Sequence, residues 1–313
     1  MSPDVVSVGR ISVDLYAHEP HAGFEDQQSF RKSVGGSPTN VAVAAARLGH
    51  DVTLITKVGD DDFGDYIRGR LQGWGVDTRY VGSVPGAQTP LAFAALTPPE
   101  TPTVIFYRGA AAPDTQLVAS DVPEELIIGT KILWISQGSL AQGSTAETCL
   151  AWMGLRSSDQ HTILDLDYRP SLWASVDDAR AMAQRAIALA TVVVGNSEEC
   201  EVALGVSDPD AAADALLEAG VTLAIIKLGA GGALLATATE RVRVKPTPIA
   251  VVCGLGAGDA FGGALCHGIL EGLSLKEMGA LANAAGAHVA TQLTCADAMP
   301  SVEELQRFME DAA

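Results

Sequence analysis

Residues 253–270 read CGLGAGDAFGGALCHGIL, and this stretch indicates the fold and the chemistry more strongly than any other. Gly256, Ala257 and Gly258 allow a sharp backbone turn, and Asp259 follows at the start of a helix rich in small residues. Free N–H groups and the dipole at a helix N-terminus attract anions without a basic side chain. We therefore expect an anion-binding turn in which Asp259 accepts a proton from a hydroxyl. The alternative is a glycine-rich turn with Asp259 as an ordinary N-cap.

Two other glycine-rich motifs fit this stretch poorly. A dinucleotide-binding GxGxxG motif starting at Gly254 would need a third glycine where Asp259 stands. No GxxxxGK[ST] sequence occurs in the chain, which excludes a P-loop ATPase. A nicotinamide-dependent dehydrogenase remains as an alternative function.

The composition excludes several classes of protein. The chain has 313 residues, 48% of them apolar, and a net charge of −18. A field of that sign repels nucleic acid and anionic membranes, so neither is an expected partner, whereas local amides, arginines or a bound cation can still hold a small anion. Five cysteines without a CxxC pair, and no signal peptide or long apolar segment, predict a cytoplasmic protein without disulfides. The six histidines show no metal-ligand spacing, so we expect surface or core positions for them.

The order of predicted elements indicates an α/β protein with a mainly parallel sheet. Short β-rich runs alternate with amphipathic helical segments, which is typical of that class. The runs begin at Val5, Val52, Lys131, Thr162, Thr191 and Leu223. Two segments, about 10–36 and 88–109, contain paired strands without a helix between them, and they predict a small antiparallel sheet that covers a cleft as a lid. We expect a single domain over residues 1–313.

Two motifs together resemble one family of enzymes. GAGD at the start of a helix, with GGSPTNVAVAAARLG at 35–49, resembles the ribokinase-like (PfkB) carbohydrate kinases over essentially the whole chain. The resemblance implies the ribokinase-like fold and an ATP-dependent kinase that uses magnesium. The stretches GRISVDLYA, IFYRGAAA and DLDYRPSLW are most similar to family members that act on sugar acids. The implied reaction phosphorylates a primary hydroxyl of 5-dehydro-2-deoxy-D-gluconate, in myo-inositol breakdown.

Other activities stay open alongside that reaction. Within the family, 2-keto-3-deoxygluconate, fructose and ribose are alternative substrates. Outside the enzymes, a sugar- or nucleotide-binding regulator on the same scaffold is the alternative, because fold does not fix function. The expected partners are a sugar acid and ATP, and the expected assembly is a homodimer or higher homo-oligomer.

The resemblance assigns the sugar site residue by residue. Asp259 matches the family's catalytic base, and the amides of Gly256, Ala257 and Gly258 match the groups that stabilise the transferred phosphate. The positions that match substrate-binding residues are Asp14, Gly35, Gly36, Asn40, Arg108 and Arg169. The two arginines are implied to meet the carboxylate, which a guanidinium fork suits. The alternatives are that Asp14 is a strand-end turn residue, that Arg108 pairs with lid acids, and that Arg169 pairs with Asp165 or Asp167.

The resemblance also implies a nucleotide site in the carboxyl-terminal half. The matching positions are Asn196, Lys227, Gly229, Gly232 and Asn283. Glu199 completes an NxxE motif with Asn196, which in the family orders water and magnesium near the phosphates, although NxxE is also frequent at helix starts. KLGAGG at 227–232 can equally form a simple β-turn.

One position departs from the family pattern. Many relatives carry the tripeptide Asp-Thr-x directly before GAGD, and that Asp helps to bind an activating monovalent cation. This chain has Cys253, Gly254 and Leu255 there. Dependence on potassium is therefore left open.

Overall fold

Strands and helices alternate in the computed structural model, which describes residues 2–19, 22–109 and 111–312. The strands are β1 Val5–Val8, β2 Ser12–Ala17, β3 Phe30–Gly35, β4 Val52–Gly59, β5 Val76–Asp77, β6 Val81–Val84, β7 Leu91–Ala95, β8 Thr103–Tyr107, β9 Ile132–Ser136, β10 His161–Asp165, β11 Val192–Asn196, β12 Leu223–Lys227, β13 Ala233–Ala236 and β14 Arg241–Val244. The helices are α1 Ser37–Arg47, α2 Asp62–Gly73, α3 Glu124–Gly129, α4 Gly143–Gly154, α5 Val176–Ile187, α6 Ser197–Leu204, α7 Pro209–Glu218, α8 Ala257–Leu270, α9 Leu275–Ala290 and α10 Val302–Asp311.

The larger sheet has the strand order β14-β13-β12-β11-β10-β9-β1-β4-β5, and β6 also pairs with β4. Neighbouring strands pair in parallel except at one edge, where β13 is antiparallel to both β12 and β14. Both faces are buried. In β9, Ile132 and Trp134 pack into the hydrophobic cluster on one face, and Leu133 and Ile135 pack into the cluster on the other. Burial of both faces is what parallel sheets require, and it confirms the predicted α/β class.

Helix α8 lies close to the sheet because its small residues permit it. A Cβ atom on Gly262 would lie 2.6 Å from the Trp134 ring of β9, and one on Gly263 would lie 2.3 Å from Cβ of Ala44 in α1. Neither position has room for a side chain. The glycines therefore fix the depth of α8 and bring its N-terminus to the carboxyl ends of the parallel strands.

The second sheet is small and separate, as predicted, with the order β3-β2-β7-β8. The pairs β2–β3 and β7–β8 are antiparallel, whereas β2 and β7 join them in parallel, with Val13 opposite Leu91. The parallel junction has a simple origin. Strands β1 and β6 both run parallel to β4, so the strands that follow them leave the larger sheet in the same direction.

Two further expectations concern the cysteines and the membrane. Cys149, Cys200, Cys253, Cys266 and Cys295 are all buried free thiols, in agreement with the prediction of no disulfides. Within the described ranges, no helix is long and apolar enough to cross a membrane.

Candidate active site

A cavity of about 380 Å³ lies between the small sheet and the N-terminus of α8. Its polar lining includes Arg10, Asp14, Asn40, Arg169 and Asp259, and its apolar walls include Val104, Phe106 and Leu255. Arg10 follows β1 and Arg169 follows β10, so the cavity lies outside the carboxyl ends of the parallel strands. That crevice is where open α/β sheets bind their ligands.

Asp259 lies in the first turn of α8, facing this cavity. The N-cap of the helix is Gly256, whose φ of 79° favours glycine, so the alternative that Asp259 is an ordinary N-cap is wrong. Nδ2 of Asn40 donates a hydrogen bond of 2.7 Å to Oδ2 of Asp259. Burial, reinforced by the nearby Asp167, raises the pKa of Asp259 to about 6, while the bond from Asn40 opposes that rise. A carboxyl group with this pKa is ionised at neutral pH and is a better base than an exposed aspartate.

Asp14 lies on β2 and is held by its own strand. Its carboxylate accepts hydrogen bonds from Oγ of Ser12 at 2.6 Å and from Oη of Tyr16 at 3.1 Å. Burial raises its pKa despite these bonds. Gly35 lies directly beside it on β3, where a Cβ would come within about 2.0 Å of the carboxyl carbon. Gly36 lines the cavity itself, so these predicted residues are brought together.

The two predicted arginines are placed differently. Arg169 lines the cavity, and its guanidinium lies 2.8 Å from Oδ1 of Asp167. The Asp167 carboxylate raises the pKa of Arg169. Arg108 is buried and lies 2.7 Å from Oδ1 of Asp114, outside the lining of the main cavity. Each arginine thus pairs with an aspartate, and the contact of Arg108 with substrate stays a prediction.

A second charged cluster lies beside the GAGD turn. Asn196 and Glu199 form a capping box at the start of α6, with bonds of 2.9 and 2.7 Å. Nζ of Lys227 lies 3.3 Å from Oδ1 of Asp165 and 3.8 Å from Oε2 of Glu199. A Cβ on Gly258 would lie 3.4 Å from the same Nζ, so this ammonium group adjoins the N-terminus of α8.

The charged groups of this cluster shift one another's pKa values. Burial raises the pKa of Asp165 to about 7, although Lys227 opposes the rise. Burial lowers the pKa of Lys227, but Asp165 and Glu199 outweigh it, so the net shift is upward. Carboxylate oxygens beside an ammonium group and helix amides are donors that suit a magnesium–phosphate group. The residues present therefore fit a magnesium nucleotide.

The remaining predicted nucleotide residues surround the turn between β12 and β13. Gly232 has a φ of 90°, and a Cβ there would lie 1.9 Å from the carbonyl oxygen of Val244. Nδ2 of Asn283, on α9, donates a hydrogen bond of 3.1 Å to the carbonyl oxygen of Lys245. Gly229 begins the turn, and a Cβ there would meet no atom within 4 Å. The lining of the main cavity includes none of these three residues.

Sequence reasoning missed Arg10 as a site residue. It is 6% exposed and lines the main cavity. A signal was present, because an arginine directly after a buried parallel strand lies at the binding edge of the sheet. Sequence reasoning also left Asp165 and Asp167 only as possible partners of Arg169. Both are buried, and Asp167 takes that role.

The chain belongs to the PfkB family of carbohydrate kinases. The family profile, described as pfkB family carbohydrate kinase, matches residues 2–302. This confirms the family resemblance and the expected enzyme class.

Individual relatives and solved structures show which kinases this chain is similar to in sequence and fold. A 5-dehydro-2-deoxygluconokinase of Bacillus anthracis is 32% identical over 319 residues, covering 99% of this chain and 95% of the relative. One from Clostridium tetani is 30% identical over 319 residues, covering 98% and 93%. A putative ribokinase II from E. coli, solved in complex with ATP and Mg²⁺, has a TM-score of 0.90 at 25% identity, covering 99% and 100%. A Vibrio cholerae fructokinase double mutant, bound to fructose, ADP and potassium, has a TM-score of 0.83 at 26% identity, covering 97% of each chain.

Proposed function

We propose that this protein transfers the γ-phosphate of ATP to a primary hydroxyl of a sugar acid, namely 5-dehydro-2-deoxy-D-gluconate, and forms its 6-phosphate in myo-inositol catabolism. The observation that carries the proposal is the shared cavity, in which a perturbed carboxylate, Asp259, lies at a helix N-terminus together with Arg10 and Arg169. The names of the relatives support the same substrate.

Asp259 acts as the general base in this proposal. It takes the proton of the primary hydroxyl as the oxygen attacks phosphorus, and its pKa of about 6 keeps it ionised at neutral pH. The amides of Gly256, Ala257 and Gly258 face the developing charge on the phosphoryl group, which is the kind of stabilisation that phosphoryl transfer needs most. Asn40 holds the Asp259 carboxylate in place.

Residues of the small sheet bind the sugar in this proposal. Asp14 accepts hydrogen bonds from substrate hydroxyls, and Gly35 and Gly36 leave the space beside it open. Arg169, which lines the same cavity, attracts the carboxylate. The small sheet covers the cavity and excludes water, which would otherwise compete as phosphate acceptor.

The nucleotide lies along the carboxyl-terminal half of the sheet in this proposal. Lys227 contacts its phosphates, Gly229 and Gly232 let the backbone approach, and Asn283 borders the base. Asn196, Glu199 and Asp165 hold the hydrated magnesium ion. Magnesium, when bound, neutralises charge on the nucleotide phosphates. The homo-oligomer, the cytoplasmic location and the single-domain organisation with a lid stay predictions.

The experiment is a comparison of substrates by ADP release. Purified protein with ATP and Mg²⁺ receives 5-dehydro-2-deoxygluconate, 2-keto-3-deoxygluconate, fructose or ribose. We expect kcat/KM for the first acid to exceed that for either neutral sugar by about tenfold or more, the worth of one charge-assisted hydrogen bond. Equal or higher efficiency with a neutral sugar, or with 2-keto-3-deoxygluconate, would overturn the assigned substrate. ADP release with none of the four would overturn the proposal as a whole.

A further inference from the structure

Three arginines lie near the sugar cavity, and they differ in what already binds them. Arg108 pairs with Asp114 and Arg169 pairs with Asp167, at 2.7 and 2.8 Å. Among the described residues, Arg10 has no carboxylate within ion-pair distance, and its Nε has no hydrogen-bond partner. The guanidinium carbon of Arg10 lies 5.3 Å from the centre of the Phe106 ring. A buried guanidinium without a counter-ion is costly, which points to an anionic ligand.

The surroundings of Arg10 hold the guanidinium in place but supply it with little negative charge. Burial and the neighbouring Arg108 lower its pKa, while Asp167 and Asp114 oppose that shift from a distance. Nη1 would lie 3.1 Å from a Cβ on Gly138, so the absence of a side chain there leaves room for the guanidinium. Arg10 faces the same cavity as Asp14 and Asp259, whereas Lys227 lies outside its lining. The ligand it faces is therefore the sugar rather than the nucleotide.

We propose that Arg10, beside Arg169 in the cavity lining, is the main anchor of the substrate carboxylate and the residue that selects sugar acids over neutral sugars. The inference rests on the proposed function. A carboxylate satisfies a guanidinium through two parallel hydrogen bonds, which an alcohol cannot match. With its carboxylate on Arg10 and a hydroxyl on Asp14, the acid is oriented with its far hydroxyl towards Asp259. The competing explanation is that Arg10 only balances Asp167, whose Oδ2 also has no hydrogen-bond partner.

The test replaces Arg10 by residues of similar length. It compares ligands that carry either a carboxylate or a neutral hydroxymethyl group at the same position. In Arg10→Met we expect KM for 5-dehydro-2-deoxygluconate to rise about 10- to 150-fold, with a smaller fall in kcat. The inhibition constant of D-gluconate rises by a similar factor, while that of D-glucitol changes less than about threefold, because only the acid carries the charge. Arg10→Lys recovers part of the loss. Arg79→Met, an exposed arginine outside the site, serves as the control.

The outcomes separate this proposal from the one on which it rests. If wild type prefers the acid but Arg10→Met leaves its KM within about twofold, Arg10 is not the anchor while the proposed function stands. If gluconate and glucitol weaken alike, Arg10 is structural and only balances the charge of Asp167. If wild type prefers neutral sugars, the proposed function itself fails. Should the methionine variant unfold, the lysine variant and the gluconate-to-glucitol ratio still decide the question.

A second inference concerns the opposite end of α8. Nε2 of His50, which precedes β4, lies 2.9 Å from Nδ1 of His267 near the end of that helix. Glu271, one turn further on, adds a carboxylate, and one possible ligand atom from each of the three residues lies within 4.8 Å of the other two. Sequence spacing showed no metal-ligand grouping among the histidines, whereas the fold brings this pair into contact. The ligands were hidden because 217 residues separate the two histidines.

We infer that His50, His267 and Glu271 bind a divalent transition-metal ion of the zinc type. Two imidazole nitrogens on one tetrahedral zinc lie about 3.3 Å apart at bond lengths near 2.0 Å, so the pair must separate slightly and both rings must turn towards the ion. A carboxylate oxygen of Asp4 lies 4.0 Å from Nδ1 of His50, and its negative charge adds to the attraction for a cation. The C-terminal dipole of α8 also favours a cation there.

Calorimetry with Zn²⁺ on EDTA-dialysed protein, in buffer containing Mg²⁺, tests this site. We expect one bound equivalent and a higher melting temperature with zinc. Affinity falls about tenfold or more in His267→Gln and in His50→Ala, as for loss of a ligand. His161→Ala, a histidine elsewhere in the fold, keeps wild-type affinity. No zinc binding by wild type, or equal binding by the His267 variant, would overturn the inference.

Discussion

The amide of Asn40 donates a 2.7 Å hydrogen bond to the carboxylate of Asp259, and so joins the first turns of α1 and α8 across 219 positions of the chain. Both motifs that carried the family resemblance therefore meet at a single contact. The bond favours the ionised carboxylate, whereas burial favours the neutral acid and raises the pKa to about 6. The balance between these effects governs when Asp259 can accept a proton.

The pH profile reports this balance. Because Asp259 must be ionised to act as a base, kcat/KM for the acid substrate is expected to rise with pH through about 6 and then level off. In Asn40→Ala the carboxylate loses a stabilising bond, so the midpoint moves to higher pH. Initial rates between pH 5 and 8 measure both curves. An unchanged midpoint in the variant would show that Asn40 does not tune the base.

Stability should depend on the same carboxyl group. Its folded pKa of about 6 lies above the ordinary value of 3.8, so the folded state binds the proton more tightly. Stability is therefore lost as pH rises between these values, and Asp259→Asn removes the loss. Urea unfolding should show the variant more stable by about 1–3 kcal/mol at pH 7.5, with a smaller difference at pH 4. A variant that is less stable than wild type at pH 7.5 would contradict this expectation.

We expect the removal of Arg108 to lower the stability of the fold rather than to affect substrate binding directly. Its removal in Arg108→Met leaves the buried carboxylate of Asp114 without a counter-ion, at a cost of about 3–5 kcal/mol. Adding Asp114→Asn should recover part of that loss. Arg79→Met breaks a pair whose arginine is 74% exposed, and its effect on stability should be far smaller. A raised KM for the acid without loss of stability would instead support a direct contact with substrate.

Activation by monovalent cations is expected to be weak. Cys253 stands where many relatives have the aspartate that helps to bind the cation, and its thiol is buried, with a pKa that burial raises to about 11. A neutral thiol is a poor ligand for potassium, which prefers oxygen. Replacing sodium by potassium should raise the rate of ADP release by less than roughly tenfold. A larger increase would mean that backbone carbonyls alone form the cation site.

The features predicted from sequence are those with local causes. Buried β-rich runs, the GAGD turn and the two strand pairs each depend on neighbouring residues, so their positions follow from the pattern. The parallel junction of β2 and β7 depends instead on the direction of two distant strands. The spacing of residues within each segment does not indicate the direction in which those strands run.

Ion pairs between residues far apart in the chain could not be predicted from the sequence either. The sequence places Arg10, Arg108 and Arg169 near strand ends, but only the fold shows that two of them already have an aspartate. The capping box of Asn196 and Glu199 was visible as spacing, whereas the approach of Lys227 to Glu199 requires two neighbouring strands to be in register. That Arg10 has no ion-pair partner in the part of the chain described by the structure is therefore a finding of the structure.

The turnover of Asp259→Asn tests the central claim most directly. The substitution keeps the size of the side chain and removes the proton acceptor. With 5-dehydro-2-deoxygluconate, kcat is expected to fall by about 10²- to 10⁴-fold, the usual worth of general-base catalysis, while the affinity for ATP changes little. A variant that keeps near wild-type turnover would contradict the role of Asp259 as the base.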